Sequence, residues 1–266
     1  LATGVGKTRL MGAFISYLYK EKGLRNFLVL APNLTIYNKL ITDFNDQSHP
    51  KYVFKGIQIQ PRIITGDNYN KASTVHYSRR SSNQLALYND EVVINIFNIS
   101  KINSEERGKN KAKIRQKNEN IGEPYFQYLQ NLDDLVLLMD ESHHYRATRG
   151  MDVLNELNPI LGLELTATPQ LTNGQPFKNI VYEYTLAHAV KDGYVKEPAA
   201  ATRKNLSKTQ LKDLDDEELD KMKLMDAMQV HEITKTNLEI YARNYKKNLI
   251  KPFVLVVAQD TKHAEE

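Results

Sequence analysis

Six residues near the amino terminus, Thr3-Gly4-Val5-Gly6-Lys7-Thr8, place glycines, hydroxyls and a lysine just ahead of an apolar-periodic segment. Such a loop suits phosphate. Glycine lets backbone N–H groups approach an anion closely, and a helix that follows offers the positive end of its dipole. On this reading Thr3, Gly4, Val5, Gly6, Lys7 and Thr8 hold the phosphates of a nucleotide. Lys7 reaches the β- and γ-phosphates, and the Thr8 hydroxyl ligates Mg²⁺. The full loop pattern begins with glycine, where Leu1 stands here.

A second group follows the apolar run Leu135–Met139. A buried strand there delivers Asp140 and Glu141 at its carboxyl end, where open α/β sheets bind ligands. Asp140 is expected to hold Mg²⁺, directly or through water, and Glu141 to orient and deprotonate an attacking water. His143 and His144 come next. Neighbouring helical residues point in different directions, which disfavours a paired metal site; a histidine linking the hydrolysis site to the rest of the protein by hydrogen bonds is the better reading. A third group, Thr166-Ala167-Thr168-Pro169, closes the apolar stretch at Leu163–Leu165. Its two hydroxyls suit hydrogen bonding to the Asp140–His143 turn.

Elements that could position these groups are readable. The spacing of Leu10, Phe14, Ile15 and Leu18 predicts a helix over 7–22, stopped by Gly23, and 34–44 reads as a second amphipathic helix. Strands are predicted at 27–31, 61–65, 92–97, 135–139 and 163–166, with a further strand at 180–184, a helix at 186–191 and more alternation at 199–202. A short helix is predicted at 151–157. Residues 67–90 read as an irregular insertion. Residues 101–118 hold seven Lys or Arg against two Glu and read as a mobile basic loop. Beyond 208 the chain turns polar and helix-prone, with Leu211, Leu214, Leu219, Met222, Met225 and Met228 forming a stripe of the kind that packs into a helical core. Pro252–Val257 predicts a new buried strand. Alternating strands and helices imply a mainly parallel sheet with helices on both faces.

Composition limits the alternatives. Of 266 residues 41% are hydrophobic and 26% charged, an ordinary globular balance that excludes wholesale disorder. No apolar run approaches the roughly 20 residues of a membrane span. There is no cysteine, so disulfides, cysteine–zinc sites and thiol nucleophiles are excluded. The net charge of +4 neither demands nor opposes nucleic acid. With no initiator Met and no signal pattern the sequence reads as a cytoplasmic piece of something longer.

Together these residues resemble the superfamily-two helicases and translocases: Thr3–Thr8 matches their motif I, Asp140-Glu141-Ser142-His143 their motif II and Thr166-Ala167-Thr168 their motif III. Within that group the sequence is most similar to the restriction subunits of type III restriction enzymes, through His144, the stretch Phe27–Pro32, and Tyr184-Thr185-Leu186 leading to Gly193-Tyr194-Val195. The resemblance implies an α/β fold: a RecA-like P-loop NTPase lobe over residues 1–204, with the insertion at 67–90 and a basic loop at 101–123. A helical insertion or linker at 205–250 and the first strand of a second RecA-like lobe at 251–266 would follow. It implies ATP and Mg²⁺ as ligands, Lys7 and Glu141 as catalytic residues, Thr8 and Asp140 at the metal, and coupling to DNA through His143, Thr166 and Thr168. Nucleic-acid contacts would fall on Asn33, Thr65, Gly66, Asn98 and Lys101. The implied partners are double-stranded DNA and a modification (methyltransferase) subunit. An adenine-reading segment, the arginine of the second lobe and a nuclease domain would lie elsewhere in such an enzyme, so this stretch alone should hydrolyse ATP feebly. Other DNA or RNA helicases of the superfamily, and a nucleotide-sensing module without motor action, are the alternatives.

Overall fold

The computed structural model describes residues 1–57, 59–71, 91–103, 113–118, 122–145, 148–171, 173–199, 215–258, 260 and 264. The chain divides into two compact units, Leu1–Glu197 and Pro198–Glu266.

The first unit is built on five parallel strands: β1 (Asn26–Ala31), β2 (Arg62–Thr65), β3 (Val93–Asn98), β4 (Leu135–Asp140) and β5 (Leu161–Leu165). Their order across the sheet is β2-β3-β1-β4-β5, and every pairing is parallel. The pleat sends alternate side chains to opposite faces, and here both faces are apolar. Phe27, Val29, Ala31, Ile94, Ile96, Val136 and Leu138 face one side, packed by Met11, Ile15, Leu40 and Phe44. Leu28, Leu30, Phe97, Leu135, Leu137 and Met139 face the other, packed by Tyr125, Phe126, Leu129 and Leu154. Continuous apolar runs therefore become central strands, as parallel sheets covered on both sides require.

The helices that cover the first face follow the expected bounds closely. α1 (Lys7–Lys22) ends at Gly23, whose left-handed backbone (φ 69°) donates to Tyr19 O while Leu24 N reaches Leu18 O. α2 (Leu34–Asn45) starts at Asn33, whose side chain accepts from Ile36 N at 2.9 Å. α1 passes so close to the 52–54 turn that a Cβ on Gly12 would lie 2.7 Å from Val53 Cβ. Gly12→Ala should therefore lower stability by about 1 kcal/mol or more, overpacking outweighing the gain in helix propensity. A urea midpoint equal to the parent's would show that α1 can move off Val53.

The second face differs more from expectation. α3 (Ile99–Asn103) and α4 (Tyr125–Gln130) were not legible as helices, and α5 spans Thr148–Glu156. The basic stretch is anchored where it is described. Ile102 and Ile114 are buried among the core residues, and Arg115 sits 3.8 Å over the Phe126 ring while pairing with Glu156 at 2.8 Å. Two isoleucines among the charges thus hold the described ends of this stretch; residues 104–112 and 119–121, on which the rest of the loop expectation falls, lie outside the described residues. Asp67–Lys71 forms a turn after β2, and the rest of the expected insertion, 72–90, also lies outside.

Two strand expectations fail. Residues 180–184 form no strand, although Tyr184 O accepts from Ala2 N at 2.9 Å. Residues 252–257 are neither strand nor buried: Phe253 is 82% and Val257 84% exposed. An apolar run becomes a strand only where a neighbour supplies a hydrogen-bonding ladder, and among the described residues these two have none. α6 (Leu186–Lys191) agrees with expectation, while 200–202, Leu211 and Leu214 lie outside the described residues.

In the second unit α7 (Asp216–Tyr245) is capped by Asp215, whose side chain accepts from Glu218 N at 2.7 Å. It buries none of its residues, so the methionine stripe is not the core contact expected of it. Among the described residues no helix is long and apolar enough to cross a membrane.

Candidate nucleotide site at the carboxyl edge of the sheet

Because every strand pairing is parallel, Ala31, Thr65, Asn98, Asp140 and Leu165 all end at one edge of the sheet. The three groups singled out in the sequence gather there. Thr3–Gly6 turns into α1 with Gly4 at φ 88° and Gly6 at φ 99°, both in the left-handed region that glycine occupies without a Cβ penalty. Gly6 is the N-cap and has no side chain with which to satisfy the first-turn N–H groups. Lys7 opens the helix, is 8% exposed, and pairs through Nζ with the Glu141 carboxylate. Thr8 is half-buried on the same first turn.

Glu141 follows β4 with φ 49° and ψ 52°, a left-handed conformation that a non-glycine residue adopts at a cost of about 1–2 kcal/mol. The chain then leaves the strand in a short 3₁₀ turn, Ser142–His144. Asp140 Oδ1 accepts from Glu141 N at 3.1 Å. Burial, reinforced by the negative charge of Glu141, raises the Asp140 carboxyl above its ordinary range, while Lys7 works in the opposite direction. The site thus holds a carboxylate whose charge is poorly solvated, an arrangement that favours a cation beside it.

His143 Nδ1 lies 2.9 Å from Thr166 Oγ1 and 3.6 Å from Glu141 Oε2. Burial, and then His144, lowers its pKa, so the ring is neutral at neutral pH. The His143 and His144 rings lie 4.1 Å apart, closer than helical spacing suggested. Thr166 is buried, and its Oγ1 accepts from Thr168 N at 3.1 Å. Thr168 is exposed. Leu1 N donates to Thr166 O at 2.8 Å, joining the loop to the end of β5. Thus Lys7, Glu141, His143, Thr166 and Thr168 form one continuous set of contacts.

The residues expected to meet nucleic acid share the sheet edge but lie at the ends of β2 and β3, in α3 and at the N-cap of α2. Asn33 uses its side chain as the α2 cap. Asn98 Oδ1 accepts from Ser100 N and Ser100 Oγ at 2.9 and 2.8 Å. Thr65 N donates to Asn68 Oδ1 at 2.7 Å. Lys101 Nζ donates to Gly66 O at 3.0 Å and pairs with Asp67, whose other oxygen accepts from Tyr37 OH at 2.9 Å. One residue escaped sequence reasoning, and two others were noted only for their family resemblance. Tyr145 is 1% exposed and donates to Leu30 O at 3.1 Å, tying the turn after β4 to β1. Tyr184, through its carbonyl, and Val195 lie against Ala2 and Gly4 of the glycine-rich turn. Tyr145 carried a positional hint next to Asp140–His144; the resemblance marked Tyr184 and Val195 but not this contact.

A parallel sheet with a glycine-rich loop and a strand-end acid pair on its carboxyl edge defines an α/β lobe of the RecA-like helicase kind. The family model "Type III restriction enzyme, res subunit" matches residues 1–171, and the chain belongs to that family. The "Probable type III restriction-modification enzyme HindVIP Res subunit" of Haemophilus influenzae is 30% identical over 203 residues, covering 70% of this chain. The chain spans 34% of that relative's length. A nuclease-deletion mutant of the Type ISP restriction-modification enzyme LlaGI, in complex with a DNA substrate mimic, superposes with a TM-score of 0.47 at 14% identity. That superposition covers 87% of this chain and 22% of the LlaGI chain, a likeness too distant to bear on function.

Proposed function

We propose that the chain is the ATP-hydrolysing lobe of a DNA translocase or helicase motor in a type III restriction endonuclease. It would act on double-stranded DNA in company with a modification (methyltransferase) subunit. The observation that carries this is the ion pair between Lys7 and Glu141, which joins the glycine loop to the acid pair across 134 residues of sequence.

The donor set fits Mg-ATP. Thr3–Thr8 offer N–H groups and hydroxyls, and Lys7 a buried ammonium. Among the described residues there is no group of three or more acidic or histidine side chains able to hold an ion by themselves. Asp140 and Thr8 would therefore hold the metal together with the nucleotide's phosphates, as Mg²⁺ prefers. When bound, Mg²⁺ supplies charge neutralisation between the β- and γ-phosphates.

Lys7 cannot serve phosphate and Glu141 at full strength together. Phosphate draws the Lys7 ammonium away, and the Glu141 carboxylate is then free to accept a proton from water. The water oxygen attacks the γ-phosphorus, the bond to the β–γ bridging oxygen breaks, and ADP keeps the electron pair. Thr166 and Thr168, linked to Glu141 through His143, would sense the change and pass it to DNA. Asn33, Thr65, Gly66, Asn98 and Lys101 would meet the DNA backbone, which positions without reading sequence.

ATP turnover by the intact protein, with and without linear duplex DNA, tests the reading. Turnover that rises with duplex is expected; turnover indifferent to duplex but raised by RNA would replace DNA with RNA. Lys7→Ala should weaken binding of a fluorescent ATP analogue at least about tenfold, the scale of a lost charge-assisted contact. An unchanged Kd would remove the phosphate-loop assignment.

A further inference from the structure

The last part of the first unit meets the glycine loop at Gly4 and the residue just before the loop, Ala2. Tyr184 O accepts from Ala2 N at 2.9 Å, and a Cβ on Gly4 would stand 3.7 Å from Val195 Cγ2, within ordinary van der Waals contact. Between these points the chain closes on itself. Thr185 caps α6 by accepting from His188 N at 3.3 Å, and Ala189 is fully buried. Gly193 turns the chain with φ 74°, after which Tyr194 N and Val195 N both return to Ala189 O, at 2.9 and 3.2 Å. Tyr184 OH donates to Asp192 Oδ2 at 2.6 Å, and the Tyr184 and His188 rings stack 6.0 Å apart. Val195 is half-buried in a stretch, 191–199, whose other residues are exposed. Its burial is therefore local.

We propose that residues 184–195 are a clip that sets the glycine loop for nucleotide, with Val195 as a positioning residue. The proposal rests on the nucleotide reading above and deepens it. A glycine-rich loop loses more backbone entropy on ordering than any other. Thr3, Gly4 and Gly6 are exposed, so little of the surrounding fold holds them. A side chain seated against Gly4 prepays part of that ordering before ATP arrives.

The test compares Val195→Gly, Val195→Ala and Val195→Ile with Tyr184→Phe in the intact protein, reading KM for ATP against kcat and the Kd of a fluorescent ATP analogue. Val195→Gly should raise KM and Kd about five- to tenfold, the scale of a lost valine contact, with the loss falling on KM rather than kcat. Val195→Ala should do the same to a lesser degree, and Val195→Ile should restore the parental KM. Tyr184→Phe, which keeps the ring and removes the Asp192 bond, should raise KM in the same direction. A general loss of fold would lower kcat with the active fraction and would not be rescued by isoleucine; that pattern overturns the proposal. Parental KM in Val195→Gly or Val195→Ala, while Lys7→Ala abolishes binding, overturns the clip and leaves the phosphate loop standing. Unchanged binding in Lys7→Ala overturns the reading beneath it.

Discussion

Glu141→Gln is expected to cut DNA-stimulated ATP turnover by about 10³ while leaving ATP binding intact or tighter. The amide cannot take the water's proton. It also cannot hold Lys7 as an ion pair, and Lys7 is 8% exposed, so in the absence of nucleotide the variant carries a buried ammonium without its counter-charge. Two further results follow. The melting temperature without nucleotide should fall below that of the parent, and the rise produced by an ATP analogue should be larger than in the parent, because phosphate restores the missing charge. Turnover within twofold of the parent would remove Glu141 from the chemistry. A smaller analogue-induced rise would show that Lys7 does not exchange Glu141 for phosphate.

Asp140→Asn should separate stability from activity. Burial and the neighbouring Glu141 raise the Asp140 carboxyl, so its ionised form is disfavoured in the folded state. For a group whose folded pKa is raised, the favourable contribution is complete below the unfolded carboxylate range and is lost as pH rises through the folded pKa. At neutral pH ionised Asp140 therefore works against the fold. Asn keeps the acceptor for Glu141 N and removes the charge. The variant should melt higher than the parent at pH 7, and the gap should close as pH drops through the carboxylate range. Its Mg-dependent turnover should fall by about 10³ or more, since the carboxylate proposed for the metal is gone. Such an exchange of stability for activity is what a functional carboxylate imposes on a core. A variant that melts lower at pH 7 would show that Asp140 is held by contacts stronger than its burial cost.

The elements at the carboxyl edge of the sheet were legible because their signals are local. Gly6 and Gly23 bracket α1, so both ends could be read from residue type. The runs around β1 and β4 are apolar on both faces, which only a doubly covered sheet accommodates. The same rule misled at 180–184 and 252–257, where equally apolar runs lack a partner strand among the described residues. At 101–103 and 113–118 charge density hid Ile102 and Ile114, both buried in the core. α4, Tyr125–Gln130, escaped because it opens on Pro124 with no side-chain cap, whereas α6, of equal length, opens on the capping Thr185.

By itself, then, the sequence determined where along the chain the five strands and the helices α1 and α2 fall, the glycine loop at the start of a helix, and the acid pair at the end of a strand. Each follows from steric and apolar patterns within a dozen residues. Only the tertiary structure decided that Lys7 meets Glu141, that His143 meets Thr166, that Tyr145 reaches Leu30, and that Tyr184 and Val195 close on Ala2 and Gly4. Those contacts depend on which strands are neighbours and in what register. Sheet order is set by the packing of both faces at once, a property of the whole chain that no local window contains.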